Sequence, residues 1–132
     1  MTKKTFLLDS HAIIAYLEDE PSAQKVEELL RNNATLYMCS INLGEVYYIL
    51  LRENGQVQAE NALKNIIESD IELIEADWPL VKKAAEIKSK GKISYADCFA
   101  IAAANKVGAW VVTGDPEFKI AEKEKIARIE WL

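Results

Sequence analysis

TFLLDS, residues 5–10, is a short apolar run stopped by an acid and a hydroxyl residue, and it decides the fold class. An apolar run with no polar alternation suits a strand buried on both faces, as in a parallel sheet. Asp9 ends that strand, and Ser10 is a good N-cap for a helix through HAIIAYLE. In an open α/β sheet, strand carboxyl ends and the amino ends of the following helices share one edge, where ligands bind. Asp9 falls on that edge.

The same alternation runs outward along the chain. Pro21 fits the first turn of a second helix, PSAQKVEELLRNN, whose apolar stripe is Val26, Leu29 and Leu30 and whose end is marked by Asn32-Asn33. A strand at residues 35–39, TLYMC, hands over at Ser40, read as another N-cap, to a long helix reaching about Arg52, with Asn54-Gly55 as its stop. Val57 to Glu68 reads as a helix and IELIE, residues 71–75, as a strand. Asp77 caps the next helix, which tolerates Pro79 in its first turn and runs to Gly91. Ser94 caps YADCFAIAAANKV, closed by Gly108. AWVVT then leads to Asp115-Pro116, and ARIEWL forms a final edge strand. The order β-α-α-β-α-α-β-α-α-β-α-β predicts one α/β domain over residues 1–132, an α/β/α sandwich with a mostly parallel central sheet of about five strands.

Composition agrees with one core. Half of the 132 residues are hydrophobic and 28% are charged, ordinary values for a globular domain. The formal charge of −5 does not advertise a nucleic-acid binder, since phosphate affinity usually comes from Lys and Arg. That objection weakens if some acids hold a cation, which neutralises them and itself attracts phosphate. Cys39 and Cys98 lie in apolar company without zinc spacing and read as buried free thiols. No apolar run spans a bilayer and the first strand starts by Thr5, so the expectation is a cytoplasmic protein with no signal segment and no membrane partner.

Four acids share the predicted edge: Asp9, Glu45, Asp97 and Asp115. Asp9 has an alternative role as a cap, but Ser10 already offers one. Glu45 comes too late in its helix for a capping box and lies on the face of Ile41 and Ile49, where a buried unpaired carboxylate is costly; the alternative is a solvated Glu at the stripe's edge. Asn42, three residues earlier, is placed to orient it. Asp97 also fits a capping box with Ser94, and Asp115 equally well caps the turn at Pro116. The joint pattern favours a Mg²⁺ or Mn²⁺ site, which wants oxygen ligands and a phosphate, with Thr113 adding a hydroxyl. Such a site hydrolyses phosphodiesters.

FLLDSHAI (6–13), SINLGEVYYIL (40–50), SYADCFAIAAANKVGA (94–109) and VVTGDPEF (111–118) together resemble the PIN domain, specifically the small VapC-type toxins of prokaryotic toxin–antitoxin pairs. The resemblance implies that Asp9, Glu45, Asp97 and Asp115 form a Mg²⁺-dependent ribonuclease centre, with Ser10 and Thr113 in its polar surround. It further implies an RNA substrate, a homodimer and a VapB-like antitoxin. His11 departs from the small or amide residue common in relatives, and a structural role is expected for it, since a metal-activated water needs no histidine base. Two other readings compete. A haloacid-dehalogenase phosphatase also has an Asp after its first strand, but wants a second acid where this chain has His11. A non-catalytic PIN-fold module would bind RNA or protein without turnover. Lys88, Lys90, Lys92, Lys119, Lys123 and Lys125 are candidates for steering RNA, or simply solvated surface charge.

Overall fold

A computed structural model describes residues 4–32 and 34–132. Five strands, β1 (Thr5–Leu8), β2 (Thr35–Cys39), β3 (Glu72–Ile74), β4 (Trp110–Thr113) and β5 (Ile129–Trp131), form one sheet in the order β3-β2-β1-β4-β5. All four pairings are parallel, so the sheet is wholly parallel where a mostly parallel one was expected. Seven helices connect them: α1 (Ser10–Leu17), α2 (Ala23–Arg31), α3 (Ser40–Asn54), α4 (Gln56–Ile67), α5 (Trp78–Ser89), α6 (Tyr95–Val107) and α7 (Phe118–Lys123). The predicted alternation of elements is reproduced in full.

Strand periodicity divides the interior into two cores. Phe6, Leu8, Leu36, Met38 and Val112 face α1 to α4, packing on Ile13, Val26, Val46 and Ile66. Leu7, Cys39, Ile74, Val111 and Ile129 face α5 to α7, packing on Leu80, Ile101 and Phe118. Because the sheet is covered on both sides, its inner strands have no solvent face to mark with polar residues. Residues Asp97 to Ala104 of α6 are all buried, which explains why that helix is apolar all round. Cys39 and Cys98 are free and buried, and burial pushes the Cys98 thiol up to about 11. Among the described residues no helix is long and apolar enough to cross a membrane.

Three helix starts differ from expectation. Asp9, not Ser10, is the N-cap of α1: its backbone is extended and its Oδ1 accepts the Ala12 N–H at 2.8 Å. Ser10 is already helical. At α3 the cap position is Cys39, which offers no side-chain bond, while Ser40 Oγ accepts the Ala76 N–H at 3.1 Å and ties the exit of β3 to the start of α3. Pro21 lies ahead of α2 in a tight turn closed by the Ala23 N–H on the Glu20 carbonyl at 2.8 Å, a position that a fixed φ suits. Asn33, expected at the end of α2, lies outside the described residues.

The strand order fixes where a site can form. After β1 the chain steps outward through β2 and β3, then returns to lay β4 on the other side of β1. The reversal leaves a crevice at the carboxyl ends of β1 and β4, where Leu8 pairs with Val112. Gly108 closes α6 in the left-handed conformation, φ 69° and ψ 34°, and its N–H bonds the Ala104 carbonyl. A Cβ there meets no atom within 4 Å, so the cost of a side chain is purely one of backbone strain. Gly108→Ala is therefore expected to lower unfolding free energy by about 1 kcal/mol, read as a lower urea midpoint at unchanged m-value.

Candidate active site

Asp9 leaves β1 and Thr113 ends β4, so the crevice begins with these two side by side, both buried. A cleft of about 230 Å³ opens above them, and its lining includes Asp9, Glu45, Asp97, Asp115, Glu117 and Ser10. All four acids singled out in the sequence therefore share one cleft. They come from four places: the β1–α1 junction, the second turn of α3, the first turn of α6 and the β4–α7 turn.

Local hydrogen bonds hold each carboxylate in place. Glu45 is half-buried and its Oε1 accepts the Ser10 hydroxyl at 2.9 Å, a bond available because Asp9 has taken over the cap. Asn42 is fully buried; its amide donates to the Ala96 carbonyl at 3.1 Å and makes a long 3.5 Å contact with Glu45 Oε1. It thus ties α3 to the turn of α6 that carries Asp97. Its own Oδ1 has no partner among the described residues, a cost on the order of 1–3 kcal/mol.

A relay of backbone donors runs from β4 to α6. Thr113 Oγ1 accepts the Asp115 N–H at 3.0 Å, and Asp115 Oδ1 accepts the Glu117 N–H at 2.9 Å. Glu117 Oε1 accepts the Ser94 N–H, and Ser94 Oγ accepts the Asp97 N–H at 3.3 Å. The capping box expected within Ser94–Asp97 is therefore only half local. Asp97 does not reach back to Ser94; Glu117 does so from another segment, which frees Asp97 for the cleft.

Glu117 is the residue that sequence reasoning missed. Carboxylate oxygens of Asp97, Asp115 and Glu117 lie within 4.8 Å of one another, a set that does not include Asp9 or Glu45. Among the described residues no Lys, Arg or His forms an ion pair with any of these five acids. His11 sits exposed at the rim, with no hydrogen bond to an acid. A Cβ on Gly114 would fall 2.7 Å from its ring, so Gly114 leaves the space the imidazole fills.

Residues 6–124 match the family profile of the PIN domain. The chain belongs to the PIN-domain family. Among curated proteins none matches it. Solved structures with the same fold include the VapBC2 complex of Rickettsia felis bound to a promoter DNA fragment, at 20% identity and TM-score 0.76, covering 96% of this chain and 98% of that one. DNA-bound VapBC of Salmonella typhimurium aligns at 20% identity and TM-score 0.75 over 98% of both chains. VapC20 of Mycobacterium tuberculosis, described as a Sarcin-Ricin loop cleaving toxin, aligns at 17% identity and TM-score 0.74 over 88% of this chain and 94% of that one.

Electrostatics in this PIN domain follow from crowding and burial. Burial pushes Asp9 up to about 7; the Thr113 hydroxyl and the Ala12 N–H oppose the rise, and Asp115 and Glu45 add to it. Burial likewise pushes Asp97 up to about 9, reinforced by hydrogen bonding to Glu117 and by the charges of Glu117, Asp115 and Asp9. Glu117 moves down, first because of its hydrogen bond with Asp97. Within this pair the shared hydrogen bond favours the neutral form of Asp97 and the charged form of Glu117.

Raised acid pKa values have a definite sign in stability. Asp9 and Asp97 favour the fold fully below their ordinary value of 3.8, and that contribution is lost as pH rises through about 7 and about 9. Glu117 works the other way, its contribution present above 4.5 and lost in acid. In chelator, Tm is expected to fall on the order of 5 °C between about pH 5.5 and pH 8, and Asp97→Asn should flatten that slope. Differential scanning calorimetry of both proteins across the range checks it.

Proposed function

We propose that this PIN domain is a Mg²⁺- or Mn²⁺-dependent endoribonuclease, the toxin of a type II toxin–antitoxin pair. The observation that carries the reading is the cleft at the β1–β4 switch point, where Asp9, Glu45, Asp97 and Asp115 converge with no ion pair to a Lys, Arg or His among the described residues. Their donors fit a hard divalent ion: all are carboxylate oxygens, and burial, with neighbouring charges adding to it, leaves two of the acids favouring protonation until a cation replaces the proton. When bound, the ion supplies charge stabilisation for a phosphodiester and acidifies the attacking water.

The chain's own residues have separable parts in this reading. Asp97 and Asp115 form the centre of the ligand set, and Asp9 and Glu45 line the same cleft beside them. Ser10 fixes the orientation of Glu45, Asn42 fixes α3 against α6, and Thr113 holds the backbone of Asp115. Open access to the cleft suits a strand of RNA passing across it. The similarity in fold to VapC20 and to two VapBC complexes supports a toxin role with a VapB-like antitoxin as partner; a homodimer as the working form rests on the family resemblance of the sequence.

Purified protein with Mn²⁺ is expected to cleave total RNA internally, and Asp9→Asn or Asp97→Asn should each slow cleavage by roughly 100-fold or more while leaving circular dichroism unchanged. Undiminished cleavage by both variants overturns the assignment. RNA binding without turnover in Mg²⁺ and Mn²⁺ favours the non-catalytic module instead.

A further inference from the structure

The cleft has two unlike walls. Ser94, Asp97, Asp115 and Glu117 form one, and α1 and α3 supply the other. The Ser10–Glu45 bond at 2.9 Å draws these two helices together. Residues four apart share a helix face, so Ile14 follows Ser10 and Ile49 follows Glu45 one turn further along, and both line the cleft. His11, three residues before Ile14, completes this wall.

Packing accounts for only part of it. Ile14 is half-buried against the core under α1 to α4, but Ile49, also half-buried, joins neither core. His11 is exposed. Gly114, against which its ring lies, has no positive φ that would call for glycine. A Cβ there would fall 2.7 Å from His11 Cε1 and 3.2 Å from Nδ1, so what the glycine provides is a seat for the imidazole at the rim. A ring seated against backbone has little rotamer freedom left to lose on contact with a ligand.

Charge decides the occupant. Six acids line the cleft, Glu20 among them, and no Lys or Arg does so among the described residues. A phosphate is repelled from such walls except where a cation intervenes. The uncharged part of a nucleotide is its base, and bases stack on aromatic side chains in proteins that read single-stranded RNA. Both walls belong to one cleft of about 230 Å³, so a phosphate held over the acids leaves a neighbouring base beside His11, Ile14 and Ile49.

Resting on the ribonuclease reading above, we propose that His11, Ile14 and Ile49 form a nucleobase subsite, on which a base adjoining the scissile phosphate stacks, and that this contact sets which base cleavage prefers.

The test pairs variants of the full chain with short single-stranded RNAs built around a mapped cut site, each base near it replaced in turn by an abasic sugar. With Mn²⁺, His11→Ala and Ile49→Ala are each expected to lower kcat/KM on intact RNA by about 5–50-fold, mainly through KM, and to flatten the preference among the four bases at one position. RNA abasic at that position should be cut alike by wild type and both variants, because the contact is already gone. His11→Phe, which keeps a flat ring and loses both nitrogens, should retain most of the wild-type rate; a loss as large as that of His11→Ala overturns stacking. Equal losses on intact and abasic RNA at every position, or no loss on intact RNA, overturn the subsite. Ile49, outside both cores, carries the comparison alone should His11→Ala fail to fold. Fluorescence anisotropy with Ca²⁺ and single-base oligonucleotides, intact or fully abasic, gives a readout independent of cutting. If wild type cuts no RNA, the ribonuclease reading falls; intact oligonucleotides binding wild type no tighter than abasic ones, or binding wild type and Ile49→Ala equally, overturn the subsite as well.

Discussion

Carboxylate oxygens of Asp97, Asp115 and Glu117 lie within 4.8 Å of one another, beneath a cleft that also holds Asp9 and Glu45. At an effective dielectric of about 20, two unit charges so spaced repel by roughly 3–4 kcal/mol, and several such pairs would exceed a good part of the stability of a domain this size. Two partners can relieve that repulsion: a proton, which places Asp97 and Asp9 in their neutral forms, or a divalent cation. The rest of the structure holds the acids together against it.

The scaffold does so from both sides of the sheet. β1 and β4 are inner strands, hydrogen-bonded on both edges and packed between two apolar cores, so Asp9 and Thr113 issue from firmly held backbone. Asp97 is delivered by α6, which is buried from Asp97 to Ala104 and cannot turn away without exposing apolar surface. Asn42 and Ser10 then lock α3, and with it Glu45, against α6 and α1. The relay from Thr113 through Asp115, Glu117 and Ser94 to Asp97 links β4 to α6. Placing repelling groups on rigid elements is what an ion-binding or catalytic centre needs.

Much of this was legible in the chain. Apolar runs such as TFLL and AWVVT, and stops such as Asn54-Gly55 and Gly108, mark elements because strand burial and the positive φ of a capping glycine leave strong local signals. The four acids were placed on one edge because strand-to-helix junctions in a parallel sheet necessarily share it. Cap identity was less legible. Asp9-Ser10 and Cys39-Ser40 each present a residue pair in which a one-position shift changes the cap, and the choice was made by tertiary partners: Glu45 takes the Ser10 hydroxyl and Ala76 takes Ser40. Glu117 was missed for a related reason. In TGDPEF it reads as a turn acid beside Pro116, and its bond to Ser94 spans 23 residues. A hint was present: a short Asp97 in place of the usual Glu reaches back poorly in a capping box, leaving the Ser94 N–H in need of another acceptor.

Proton and cation competing for the same carboxylates is the claim on which the account stands. Calorimetric titration of Mn²⁺ at about pH 7 in two buffers of different ionisation enthalpy measures the competition directly. The account predicts binding with release of about one proton per chain, declining as the pH is raised toward 9. Binding with no proton released at either pH, or no binding at all, would contradict it.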